Sequence, residues 1–116
     1  MVPSQALDFS AVGDIARSLP GVSENTLHGG PSWKMRGKLL ACKAVHRSAE
    51  PNSLMLRIGL AERTQLLSAN PSAYYLTEHY VNHQAVLIRL SKIDRKSLET
   101  LLQSAWIAAG GMKKRR

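Results

Sequence analysis

The stretch SWKMRGKLLACKAV, residues 32–45, decides the fold of this chain. Apolar and charged residues alternate from Trp33 to Arg36, which is typical of a strand with one buried face and one exposed face. The alternation favours a core position for Trp33. Gly37 then supplies a tight turn, and residues 39–45 return as the partner strand of an antiparallel hairpin.

Further strands are predicted on both sides of this hairpin. Residues 25–28 form a short strand before it, and the turn Gly29-Gly30-Pro31 leads into the hairpin. Residues 54–58 follow as an alternating strand, and residues 84–90 form the most apolar strand of the chain.

Three helices complete the order of elements. The first spans residues 10–19 behind a cap at Asp8 or Ser10, the second spans residues 60–69, and the last begins after Asp94. Hairpin strands flanked by helices predict an α+β fold. We expect a two-layer sandwich in which the helices pack on one face of a mostly antiparallel sheet.

The length of 116 residues and the hydrophobic content of 44% are those of one globular domain. We expect residues 1–109 to form the domain and residues 110–116 to be a flexible basic tail. The first residues lack the charged and apolar regions of a signal peptide, and no apolar run is long enough to cross a bilayer. Cys42 is the only cysteine and is expected to be a small buried hydrophobe. These features predict a cytoplasmic monomer.

Charge is the strongest compositional signal. There are 16 Lys and Arg residues against 8 Asp and Glu, which gives a net charge of +8. Four of the positive residues are the last four, Lys113 to Arg116. A basic domain with a basic tail favours polyanionic partners, nucleic acid first and an anionic membrane surface second. The alternative interpretation is a solvating tail on an ordinary basic protein.

The predicted strands carry a set of basic residues at positions that do not belong to the core. If the sheet is antiparallel, these positions form one basic face that can neutralise phosphates. We therefore predict weak, salt-sensitive and largely non-specific DNA binding, because no sequence-reading helix is evident. The alternative is that these are ordinary solvent-facing side chains. The candidate residues are Lys34, Arg36, Lys38, Lys43, Arg57 and Arg89.

A second candidate site is the aromatic and histidine-rich loop at residues 74–83. It suggests a binding module for a protein partner or a small anionic ligand, which is the alternative function. The candidate residues are His28, Tyr75, His79, Tyr80 and His83.

Metal binding and catalysis are both disfavoured by the residue pattern. His79 and His83 are four residues apart, yet a zinc site needs three or four ligands, so a hydrogen-bonded role is favoured for both. The chain has no glycine-rich phosphate loop, no nucleophile elbow and no HExxH motif. We expect no metal, no cofactor and no enzymatic activity.

Several landmarks follow one another along the chain: Leu19 to Val22, His28-Gly29, Pro31 to Lys34, Arg36 to Ala41, Tyr74 to Leu90 and Ala105-Trp106. Their order and spacing resemble the MmcQ/YjbR family of small bacterial proteins, from about Phe9 to about Ala109. The resemblance implies a fold similar to the frataxin/CyaY type and DNA binding through a pair of wing-like hairpins. Iron binding of the frataxin kind is not expected, because it needs a row of carboxylates and this chain scatters its eight acids.

Overall fold

Six antiparallel strands and three helices make up the computed structural model, which describes residues 7–111. The strands are β1 (Val22–Leu27), β2 (Gly30–Met35), β3 (Lys38–Lys43), β4 (Ser53–Arg57), β5 (Tyr74–Tyr75) and β6 (Ala85–Arg89). Their order in the sheet is β1-β2-β3-β4-β6-β5. The predicted α+β fold with an antiparallel sheet is confirmed. Residues 112–116, which include most of the predicted basic tail, lie outside the described residues.

The helices are α1 (Phe9–Arg17), α2 (Leu60–Ala69) and α3 (Arg95–Ala108). A carboxylate caps the first and the last of them. Asp8 accepts a hydrogen bond from the backbone N–H of Ala11 at 3.1 Å, and Asp94 accepts one from Ser97 at 2.8 Å. No helix within residues 7–111 is long and apolar enough to cross a membrane.

The first three strands are joined by two tight turns of the same kind. His28-Gly29 and Arg36-Gly37 each place both turn residues at positive φ, as two-residue hairpin turns require. The predicted turn over Gly29-Gly30-Pro31 is therefore shifted. Gly30 and Pro31 belong to β2, and β1 begins three residues earlier than residues 25–28.

The main core lies between the sheet and the helices. Trp33 and Met35 of β2 and Leu54 of β4 are buried there against α3 residues such as Leu98 and Leu102. Helix α2 packs beside β5 and β6 at one side of this layer and has no fully buried residue. We call this side of the sheet the helix face.

The opposite side of the sheet, the loop face, carries a second and much smaller apolar cluster. Ala44, Tyr80 and Leu87 are buried in it, and Met55 and Tyr75 pack against them. Tyr75 comes from β5, a two-residue strand that was predicted to be loop and that pairs with β6. The cluster fixes the segments on either side of Tyr80 against the sheet, which positions the site described next.

Candidate functional site

A cavity of about 490 Å³ opens on the loop face between the sheet and the loop that follows β5. All four histidines of the chain line it, and we call it the histidine cavity. They arrive from three separate segments. His28 lies in the β1–β2 turn, His46 follows β3, and His79 and His83 lie in the loop between β5 and β6.

The inner wall of the histidine cavity is apolar. Leu27, Leu39, Val45 and Met55 line it together with the ring of Tyr80. Leu39 and Met55 reach it because they occupy loop-face positions of neighbouring strands. A concave site with an apolar body and a few convergent polar groups is typical of small-molecule binding.

Tyr80 holds the histidine-bearing loop on the sheet. Its ring is buried against Ala44 and Leu87, and its hydroxyl accepts a hydrogen bond from the backbone N–H of His46 at 3.2 Å. One side chain therefore joins the two segments that carry His46 and His79.

His46 and His79 are stacked face to face at the cavity. Their ring centroids are 3.6 Å apart and the ring planes differ by 6°. Nδ1 of His46 accepts a hydrogen bond from the backbone N–H of Ser48 at 3.1 Å. Because a backbone N–H can only donate, this bond places the ring proton of neutral His46 on Nε2. That nitrogen is left as a donor.

The surroundings of His79 disfavour its charged form. Partial shielding from water lowers its pKa below the ordinary 6.5, and repulsion from His46 and His83 lowers that pKa further. The His79 ring is therefore mostly neutral at pH 7, and it gains a proton only at more acidic pH than a free imidazole does.

The other polar groups of the cavity do not suit nucleophilic or metal chemistry. Burial raises the pKa of the Cys42 thiol to about 11, so it stays protonated, as expected for a buried hydrophobe. Within residues 7–111 no three His, Cys, Asp or Glu side chains are placed to hold a metal ion together. None of the residues that line the cavity is acidic.

The basic residues do not form the single face that was predicted. Leu40 is the extra residue of a β-bulge in β3, so the register jumps from Leu39 opposite Lys34 to Ala41 opposite Trp33. The bulge moves the following residues to the other side of the sheet. Lys43 therefore projects to the helix face, where its ammonium lies 5.8 Å from the Phe9 ring centroid.

The remaining basic candidates are also divided between the two faces. Lys38 pairs with the core residue Met35 and so lies on the helix-face side of the hairpin tip, and Arg36 lies in the turn. Lys34 and Arg57 lie on the loop face, opposite Leu39 and Ala85.

Arg89 is engaged by partners within the protein. Its guanidinium makes a bidentate pair with Glu50 at 2.8 and 2.7 Å and donates to the carbonyls of Pro71 and Ser72 at 3.2 and 3.1 Å. It also lies 4.2 Å from the Tyr75 ring centroid. These contacts anchor two loops and leave the Arg89 guanidinium engaged within the protein.

The structure brings together four of the five predicted ligand-loop residues and leaves out Tyr75. His28, His79, Tyr80 and His83 line the cavity, whereas the Tyr75 hydroxyl is bonded to Ser53 Oγ at 2.6 Å and does not reach it. His46 was not predicted to belong to this site. No local signal placed it there, because without the β-bulge the alternation from Leu40 would put residue 46 on the helix face.

Comparison with known proteins agrees with this architecture. The family model described as YjbR matches residues 17–108, and the chain belongs to this family. The uncharacterized proteins Rv2570 of Mycobacterium tuberculosis and Mb2600 of Mycobacterium bovis are each 25% identical over 108 residues, covering 81% of this chain and 84% of the relative. The crystal structure of Deinococcus radiodurans protein DR2400, with a domain described as DUF419, superimposes with a TM-score of 0.72. It is 15% identical and the match covers 92% of this chain and 81% of DR2400, so this likeness concerns the fold.

Proposed function

We propose that this protein is a non-catalytic binding protein and that its ligand site is the histidine cavity. The observation that carries the proposal is the convergence of four histidines from three segments on one apolar cavity of about 490 Å³. This volume lies within the range of roughly 300–1,000 Å³ that is usual for small-ligand sites. Tyr80 and the stacked pair His46 and His79 hold the polar edge of the cavity in place.

Filling the cavity with a larger side chain is expected to abolish binding. Val45 lines it and is 43% exposed, so Val45→Trp can place an indole across the opening without entering the core. We expect this variant to weaken the binding of the neutral probe 4-phenylbutan-1-ol at least tenfold, measured by NMR titration at millimolar probe.

The matched control is Val81→Trp, because Val81 is 40% exposed and does not line the cavity. It should bind the probe as the unmodified protein does. Equal probe affinity in the Val45 variant, or equal losses in both variants, would contradict the proposed site.

DNA binding through the β2–β3 hairpin tip is a second candidate function. Lys34, Arg36 and Lys38 cluster there, and none of the ion pairs within residues 7–111 uses them or Arg57. Cations without a carboxylate partner are free to meet phosphates. Lys43 lies on the helix face and Arg89 is engaged by Glu50. DNA binding is therefore supported by the four other basic residues, Lys34, Arg36, Lys38 and Arg57.

Charge reversal at the hairpin tests this second candidate. We expect Arg36→Glu/Lys38→Glu/Arg57→Glu to abolish binding to labelled duplex DNA, with the salt slope falling by about 0.9 for each phosphate that the protein no longer neutralises. Fluorescence anisotropy across a salt series would measure this, in the full chain and in a form without Lys113 to Arg116.

The control for this experiment reverses the same number of charges elsewhere. Lys92→Glu/Arg95→Glu/Lys96→Glu changes exposed residues at the start of α3, away from the hairpin. If both triple variants lose binding equally, the attraction comes from net charge alone and the hairpin is not an interface.

A further inference from the structure

We infer that the histidine cavity takes an amphipathic carboxylate, an apolar body with one anionic group, and takes up a proton when it binds. This inference rests on the proposed function and names its ligand class. It follows from the uneven distribution of side-chain types in the cavity, in which apolar residues form the inner wall and imidazoles form the edge.

The inner wall offers only dispersion and apolar burial to a ligand. Leu27 and Leu39 come from β1 and β3, Met55 comes from β4, and Val45 closes the side next to His46. An aliphatic or aromatic body fits such a surface, because about 25 cal/mol is gained per Å² of apolar area removed from water.

The edge of the cavity can become positive, and no carboxylate is among the described residues that line it. The titratable groups around His79 are His46 from the segment after β3, Tyr80 and His83 from its own loop, His28 from the β1–β2 turn, and Cys42 and Lys43 from β3. Lys43 directs its ammonium toward Phe9 on the helix face, and Cys42 stays a neutral thiol. The imidazoles are therefore the groups that can meet an anionic ligand.

The stacked pair makes the charge of this edge depend on a ligand. Partial shielding from water, followed by repulsion from His46, whose ring centroid is 3.6 Å away, and from His83, holds the pKa of His79 below 6.5. A carboxylate beside the rings stabilises the imidazolium and raises the pKa of His79. Binding then takes up a proton, so affinity for the anion must increase as the pH falls from the raised pKa of His79 in the complex to the lower pKa of His79 in the free protein.

Three probes that share one body separate charge from shape. They are 4-phenylbutyrate, 4-phenylbutan-1-ol and 4-phenylbutylamine, titrated by NMR between pH 5.5 and 8.0, where an exposed carboxyl with a pKa of about 4.3 stays ionised. We expect the carboxylate to bind about tenfold more tightly than the alcohol at pH 5.5, as for one charge-assisted hydrogen bond, and the amine to bind most weakly. The difference in affinity between the carboxylate and the alcohol should be smaller at pH 8.0 than at pH 5.5.

Two substitutions at His79 distinguish a charged role from a shape effect. His79 is exposed, so both variants should fold. His79→Gln is expected to remove the preference for the carboxylate. His79→Lys should keep the preference and flatten its pH dependence, because a lysine stays charged across this range. Affinity for 4-phenylbutan-1-ol, measured in the same variants, corrects for any change in the shape of the cavity, so the preference is expressed as the ratio of the two affinities.

The outcomes separate this inference from the proposed function. If all three probes bind equally and Val45→Trp abolishes their binding, the cavity is a ligand site but the inferred preference for a carboxylate is wrong. If a preference for the carboxylate exists but persists unchanged in His79→Gln, the inference is also wrong. If none of the probes binds, both the inference and the proposed function are overturned.

Discussion

Replacing Trp33 with alanine is expected to lower the free energy of unfolding by about 3–5 kcal/mol, the largest loss of stability expected here from a single substitution. Trp33 is fully buried between the sheet and the helices. Its indole N–H also donates to Glu24 at 3.0 Å. The substitution leaves a cavity in the main core and removes a bond that joins β1 to β2. Total stabilities are about 5–15 kcal/mol, so this loss removes a large fraction of the free energy of unfolding.

Urea unfolding followed by circular dichroism would measure this loss, with Trp33→Phe as the graded variant. Phenylalanine keeps an aromatic ring but cannot donate to Glu24. The hydrogen bond from Trp33 is the largest cause of the lowered pKa of Glu24, and the hydrogen bond from Arg17 is the next. The phenylalanine variant should therefore raise the pKa of Glu24. Ile107→Ala, at a position 53% exposed, should cost less than about 0.5 kcal/mol. A loss below 1 kcal/mol in Trp33→Ala would contradict the burial of the indole.

Tyr80→Ala is expected to detach the histidine-bearing loop and to cost about 3 kcal/mol of unfolding free energy. Tyr80 is the largest buried side chain of the loop-face cluster, and its hydroxyl reaches the backbone of His46. Without the ring, the segments that carry His46 and His79 lose their common support. Binding of 4-phenylbutan-1-ol should therefore fall at least tenfold.

Tyr80→Phe isolates the ring from the hydroxyl. This variant keeps the packing against Ala44 and Leu87 and loses one hydrogen bond, so we expect a cost of about 1 kcal/mol and nearly unchanged probe binding. Denaturant unfolding and NMR titration on the same samples would compare the two. Similar losses in both variants would show that the hydroxyl, not the ring, holds the loop.

Local signals in the sequence were enough to predict most of the fold. Helix α2 matches the predicted residues 60–69, and the caps at Asp8 and Asp94 form as expected. The β2–β3 hairpin follows from the alternation around Trp33 and from Gly37. These predictions succeed because spacing, capping and turn chemistry act over a few neighbouring residues.

The errors arose where the signal is not local. The run Leu39-Leu40-Ala41-Cys42 is apolar throughout, so it gives no sign that Leu40 is a bulge and that Lys43 changes face. A two-residue strand such as β5 is too short for periodicity to reveal. The meeting of four histidines depends on strand order, and no spacing within one segment encodes it.

The two faces of the sheet carry apolar clusters of unequal size, so the residues that stabilise the fold are largely separate from those that line the histidine cavity. Among residues 7–111, the helix-face core contains 21 buried residues and the loop-face cluster contains three. The imidazoles at the edge of the histidine cavity belong to neither. Substitutions in the loops can therefore change the shape and charge of the cavity at little cost to the core. The loop segments have room to vary in sequence while the strands and helices keep the same packing.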